Sequence, residues 1–157
     1  MKTLIVYATK YGCTEKCASM LAKKLTGEVE LLNLNSGKAQ EIGKYDKVII
    51  GGSIYIGKIQ KEVSEFCEKN LTELKNKKIG LFICGMQEGE AIESEIKAGY
   101  PESLLTIATA KACFGGEFIL SNMKFLDKLI VKNITKTNKD VSKIYEENIN
   151  SFAEQMN

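Results

Sequence analysis

The chain reads as an α/β protein: a three-layer, doubly wound domain with a five-stranded parallel sheet. Three observations predict this. Short apolar runs alternate with amphipathic stretches along all 157 residues. The runs are apolar throughout, as in strands buried on both faces. Each connection is long enough for a crossover between parallel strands. The length suits one domain, 1–157, able to bury a core without staples.

Residues 4–8, Leu-Ile-Val-Tyr-Ala, form the first apolar run. A loop with Gly12 follows. Thr14 then precedes a helix carrying Cys17, Leu21 and Leu25 on one face and Lys16, Lys23 and Lys24 elsewhere. Residues 29–34 give a second strand nearer an edge. Residues 48–50 give a third, ending in Gly51-Gly52. Ile59, Val63, Phe66, Cys67, Leu71 and Leu74 recur at helical spacing between lysines and glutamates. Residues 79–84 form the fourth strand. The stretch 91–107 is helical, interrupted at Gly99-Tyr100-Pro101. Ala112-Cys113-Phe114 opens a fifth strand reaching Leu120, and two helices close the chain. The last shows Val141, Ile144, Tyr145, Phe152 and Met156 on one face.

Composition removes several chemistries. There is no histidine, arginine or tryptophan, and all 22 basic residues are lysines. Histidine-based triads and ligands, bidentate phosphate clamps and arginine fingers are therefore excluded. A cofactor that carries the reaction suits so sparse a set of side chains. The net charge of +2 calls for no nucleic-acid partner. The five cysteines form no C-x-x-C pair. The N-terminus enters a strand directly and does not read as a signal peptide, and no apolar run approaches a membrane span. A cytoplasmic protein with reduced thiols is expected, with Cys84 and Cys113 in the core.

In doubly wound sheets, ligands bind beyond the carboxyl ends of the strands. Three loops leave such ends. The first, Thr9-Lys10-Tyr11-Gly12-Cys13-Thr14, joins strand to helix, with hydroxyls flanking a glycine and helix-start amides available to an anion. An ordinary turn capped by Thr14 explains the loop equally well, but its place after the first strand favours a phosphate site. The Rossmann G-x-G-x-x-G is missing there. Gly52-Ser53-Ile54-Tyr55-Ile56-Gly57-Lys58-Ile59 has the frame of a nucleotide-hydrolase loop, but Ile59 replaces the magnesium-binding hydroxyl. Response-regulator chemistry lacks its acidic residues, and a C-x5-R phosphatase loop is impossible without arginine.

Thr9-x-x-Gly12-x-Thr14 resembles the flavodoxin phosphate loop, usually S/T-x-T-G-x-T, with Tyr11 at the middle threonine. The resemblance covers the chain in topology. It implies strand order 2-1-3-4-5 and flavin mononucleotide (FMN) as cofactor, with the chemistry on the flavin and no catalytic side chain or metal. Thr9, Thr14 and the amides of Lys10, Tyr11, Gly12 and Cys13 are expected to hold the phosphate. Ser53, Ile54, Tyr55, Ile56 and Gly57, with Gly85, Met86, Gln87, Glu88 and Gly89, are expected around the ring. Tyr55 is the first aromatic candidate to cover it and Tyr100 the second. Gly57 is expected to let its peptide reorient as the flavin is reduced.

A narrower likeness joins 9–14, 52–57 and Phe125-Leu126-Asp127-Lys128-Leu129-Ile130 to the flavodoxin-like, menaquinone-dependent protoporphyrinogen oxidases. The flavodoxin resemblance implies electron transfer to a redox partner protein or to a small-molecule or quinone acceptor. An oxidoreductase acting on a quinone or porphyrinogen at the membrane face, or a flavin-free regulatory domain, stand as alternatives. Shuttle flavodoxins are generally acidic, and this chain is slightly basic. Cys13 reads as a passive loop residue. In 122–136, Lys124, Lys128, Lys132 and Lys136 form a stripe, while Met123, Leu126, Ile130 and Ile134 line another face beside Phe125 and Leu129. Packing on the sheet is the favoured reading of this helix, and peripheral membrane contact is the alternative.

Overall fold

The computed structural model describes residues 1–38, 41–137 and 139–157. The first half of the chain runs β1 (Lys2–Tyr7), α1 (Cys13–Ala22), β2 (Glu28–Asn33), β3 (Lys47–Tyr55), β4 (Lys58–Ile59), α2 (Lys61–Lys69) and α3 (Leu71–Leu74). The second half runs β5 (Lys78–Cys84), α4 (Glu90–Gly99), α5 (Glu102–Ile107), β6 (Ala110–Cys113), β7 (Gly115–Phe118), α6 (Phe125–Thr135), β8 (Val141–Ile144) and α7 (Glu146–Met156). The main sheet has the order β2-β1-β3-β5-β6, all parallel, with β4 a two-residue hairpin partner of β3. Setting β4 aside, this is the expected order 2-1-3-4-5.

Strand alternation feeds two cores. Leu4, Val6, Val48, Ile50, Leu81 and Ile83 pack with Val63, Cys67, Leu74, Tyr100 and Leu104 of the α2–α5 layer. Their neighbours Ile5, Tyr7, Ile49, Phe82 and Cys84 pack with Cys17, Leu21, Ile149 and Phe152 of the α1–α7 layer. Phe82 stacks on Phe114 with centroids 4.5 Å apart, and Phe152 meets Phe114 edge-on at 5.2 Å. Lys47 is buried, and its Nζ donates to the Met156 carbonyl at 2.6 Å, closing the last turn of α7. Burial lowers its pKa.

Several elements differ from the sequence-based expectation. The third strand does not end at Gly51-Gly52 but continues to Tyr55. The glycines make room for neighbours: a Cβ on Gly51 would lie 2.0 Å from the Phe82 ring. The turn comes later, at Ile56 (φ 50) and Gly57 (φ 73). Positive φ at both central residues is what a mirror-image hairpin turn demands.

The stretch expected as one strand to Leu120 breaks at Gly115. There φ is 86, and a Cβ would lie 1.8 Å from the Lys143 carbonyl oxygen. The chain leaves the main sheet and forms β7, antiparallel to β8. Val141 and Ile144, expected on the last helix, therefore lie on a strand, and α7 begins at Glu146. The first helix starts at Cys13 behind Gly12, so Thr14 lies within it and is not its cap.

The helix α6 was expected to pack on the sheet with its lysines in solvent. Its burial pattern is different: Met123 just ahead of it and Val131 within it are buried, while Phe125, Leu126 and Leu129 are 74, 70 and 50 % exposed. Lys128 and Lys132 are half-buried. The side chains of Asn122 and Ile134 lie outside the described residues. No helix among the described residues is long and apolar enough to cross a membrane.

Candidate functional site

The carboxyl ends of β1, β3 and β5 open on a narrow cleft of about 40 Å³, which β7 closes from the side. Its wall carries Lys10, Tyr11 and Cys13 from the first loop, Ser53, Ile54 and Tyr55 from β3, and Cys84, Gly85 and Met86 after β5. Gly116, Glu117 and Phe118 complete it.

The first loop is held by its own polar groups. The Gly12 amide donates to Thr9 Oγ1 at 2.9 Å, and the Thr9 amide donates to Asn35 Oδ1 at 3.0 Å. Gly12 has φ 95, and nothing stands within 4 Å of where its Cβ would be. This left-handed residue turns the chain into α1. The first amides of a helix have no partner inside it and favour an anion.

Thr14 is fully buried, and its hydroxyl meets Ser53 Oγ at 2.8 Å. The Ser53 amide in turn donates to Gln60 Oε1 at 2.8 Å. Thr14 thus ties the start of α1 to the end of β3.

Above the loop, α6 lowers one carboxylate into a cage of donors. The Tyr11 hydroxyl and the Tyr55 hydroxyl (2.5 Å) both donate to Asp127, and Lys10 Nζ stands 3.3 Å from it. Lys10 also lies over the Tyr55 ring, 3.7 Å from its centroid. These groups show that the cleft mouth can gather a negatively charged oxygen. On the far wall, Glu117 accepts from Ser142 Oγ at 2.8 Å and pairs with Lys16 at 3.1 Å. The Ser142 bond, followed by Lys16, lowers the Glu117 pKa against the opposing effect of burial.

In the inner wall of the cleft, Cys13, Cys17 and Cys84 bring their sulfurs within 4.8 Å of one another. Cys13 and Cys17 share one face of α1 because they are four residues apart. Cys84 points to the same side of the sheet as Phe82. Hydrogen bonds from the Cys17 and Cys84 thiols pull the Cys13 pKa down and push their own up.

Of the residues singled out in the sequence, Lys10, Tyr11, Cys13, Ser53, Ile54, Tyr55, Gly85 and Met86 line the cleft. Thr9, Gly12 and Thr14 do not line it; they fold the first loop and tie the start of α1 to β3 beside it. Ile56 and Gly57 form the hairpin tip beside it. Gln87, Glu88 and Gly89 lead away from it into α4, with Glu88 paired to Lys143 at 3.3 Å.

The suggestion that Tyr100 covers a ring is overturned. Tyr100 is buried in the α2–α5 core, where its hydroxyl sits 3.0 Å from the Ile50 carbonyl oxygen and 2.5 Å from that of Phe82. Cys84, Gly116, Glu117, Phe118 and Asp127 were not singled out for the cleft wall or mouth. The Gly115-Gly116 pair inside an apolar run was the available sign that the chain turns there.

The arrangement suits a phosphate monoester joined to a flat, largely apolar ring system. A left-handed glycine followed by helix-start amides is a backbone arrangement that favours an anion without arginine. Ile54, Tyr55 and Met86 provide the apolar wall.

Known proteins share this fold. A sequence model of the flavodoxin domain family matches residues 4–144. A short-chain flavodoxin associated with a non-canonical PDU bacterial microcompartment superposes with TM-score 0.67 at 18 % identity, covering 99 % of this chain and 95 % of that one. A Fusobacterium nucleatum flavodoxin variant bound to flavin mononucleotide superposes with TM-score 0.53 at 17 % identity, over 98 % and 93 % of the two chains. At these identities the likeness is one of fold. The protoporphyrinogen IX dehydrogenase [quinone] of Escherichia coli K12 is 35 % identical over 79 residues, 48 % of this chain and 44 % of that protein. The chain thus spans about half the length of the curated relatives it matches. The chain belongs to the flavodoxin domain family.

Proposed function

We propose that this chain, acting as one domain, binds FMN in the cleft at the ends of β1, β3 and β5 and serves in electron transfer. The observation that carries the reading is the seat at Gly12 and the first turn of α1, opening onto a cleft with an apolar wall. Bound FMN supplies reversible electron transfer through its isoalloxazine ring. The chain's residues bind and orient it. The amides of Lys10, Tyr11, Cys13 and Thr14 and the Thr9 hydroxyl hold the phosphate, while the Gly12 amide donates to Thr9 Oγ1 and fixes the loop. The Thr14–Ser53 bond fixes that seat against the end of β3. Tyr55 and Met86 shield the ring from water.

An absorbance spectrum of the purified protein, before and after FMN is added, tests the reading. A protein-bound flavin spectrum is expected. A colourless protein that cannot be reconstituted would instead indicate a flavin-free regulatory domain.

A second reading concerns the acceptor. The exposed Phe125, Leu126 and Leu129 lie on the helix that reaches the cleft mouth through Asp127. With Lys124 and Lys128 beside them, they suit an anionic bilayer surface. The partial match to a quinone-linked dehydrogenase points the same way. In this reading the domain works from the cytoplasmic side as an oxidoreductase using a membrane quinone, and the basic balance suits it better than a shuttle to a protein partner. Flotation with anionic vesicles tests it. Binding at low salt that is lost in Phe125→Ser/Leu126→Ser supports it, and no binding at low salt ends it.

A further inference from the structure

We propose that Cys13, Cys17 and Cys84 form a binding site for a thiophilic divalent cation of the zinc class, set in the inner wall of the cleft; the inference does not rest on the FMN reading. Three features carry this. The first is proximity. A point equidistant from three sulfurs no more than 4.8 Å apart lies within about 2.8 Å of each. A Zn–S distance of about 2.3 Å needs sulfurs roughly 3.8 Å apart, a closure of at most about 1 Å that side-chain rotation supplies.

The second is donor chemistry. The trio holds soft sulfur only, which selects thiophilic ions over magnesium or calcium. Two members lie one helical turn apart on α1, and the third ends β5, so rigid elements preorganise the set.

The third is access. All three are buried in the α1–α7 core, and Cys13 and Cys84 also border the cleft. The ion would enter from the cleft, and a water there would supply its fourth ligand.

Binding breaks up to three S–H bonds and forms three metal–sulfur bonds. Up to three protons leave to solvent, and no electrons are transferred. A divalent ion with three thiolates leaves one negative charge, where a monovalent ion would leave two. Lower residual charge makes the divalent ion the better occupant of a buried site.

The test is a titration of the reduced full-length protein with Cd(II), and separately with Zn(II), with and without added FMN. We expect sulfur-to-cadmium charge-transfer absorbance that saturates at one equivalent. Cys17→Ser and Cys84→Ser should each weaken binding by at least about tenfold. Cys67→Ser, in the opposite core, should leave it unchanged. Because core substitutions can impair folding, the wild-type protein supplies a second readout. Cd(II) should protect Cys13 from alkylation, and a chelator should restore the reaction. No saturable band, equal weakening by Cys67→Ser, or alkylation of Cys13 unaffected by Cd(II) would each overturn the site.

Discussion

The five-stranded body and the excursion at 115–144 are held in different ways. The body closes on apolar faces: Phe82, Phe114 and Phe152 interlock on one side of the sheet, and Leu4, Val48 and Leu81 are sealed on the other. The excursion leaves Phe125, Leu126 and Leu129 in solvent, and it meets the rim of the body through polar groups. Asp127 reaches Lys10, Tyr11 and Tyr55, while Glu117 reaches Lys16. Burial scales with apolar area and resists salt, whereas charge pairs whose lysine stands in solvent, like these two, contribute little to global stability. The same chain therefore combines a firm platform with a covering segment that opens at small cost.

Substitution of Phe82 should have the largest effect. Phe82→Ala removes the ring stacked on Phe114 and should cost about 3–5 kcal/mol in chemical denaturation. Phe125→Ala, an equally large deletion on the excursion, should stay within about 0.5 kcal/mol. Comparable losses at both positions would break the distinction.

Asp127→Asn should come next. It removes the charge that Lys10 and the two tyrosines gather round. Global stability should fall by about 1 kcal/mol or less, while hydrogen exchange quickens across 115–144 and not across β1, β3 or β5. Uniform acceleration would show the two regions to be one cooperative unit.

Acidification should act on the same segment. The Glu117 pKa is lowered in the folded protein, so the stability it contributes is complete above the unfolded value of about 4.3. That contribution is lost as pH falls through the folded value. Protection of β7 and β8 should fall over this acidic range, and Glu117→Gln should remove that dependence. A loss that persists in Glu117→Gln would assign it to another group.

The smallest effect is expected at the hairpin tip. Ile56 is branched at Cβ yet adopts φ 50, which such residues rarely tolerate. Ile56→Asn should stabilise the protein by up to about 1 kcal/mol. Destabilisation would show that the isoleucine side chain contributes more than its strained backbone costs.

The same contrast explains what the sequence revealed. Uniformly apolar runs at 4–8, 48–50 and 79–84 read directly as buried strands, because both faces are covered. The first loop was legible through glycine and hydroxyl spacing next to the first strand. Gly51-Gly52 misled because glycine serves turns and close packing alike, and only the Phe82 ring beside Gly51 distinguishes the two. The excursion was read poorly because its cues are not periodic. The break comes from the approach of Lys143 to Gly115, and the contact of Asp127 spans 116 residues to Tyr11. The cysteine trio escaped notice because Cys84 joins the α1 pair only through the sheet.

The proposed FMN site stands or falls on phosphate binding at Gly12 and the first turn of α1. Parallel equilibrium titrations with FMN and with riboflavin, which lacks the phosphate, test it most directly. The account predicts one FMN per chain and riboflavin binding weaker by about tenfold or more, the equivalent of a single charge-assisted hydrogen bond of ~1.5 kcal/mol. Equal affinity for the two, or no binding of either, would contradict it.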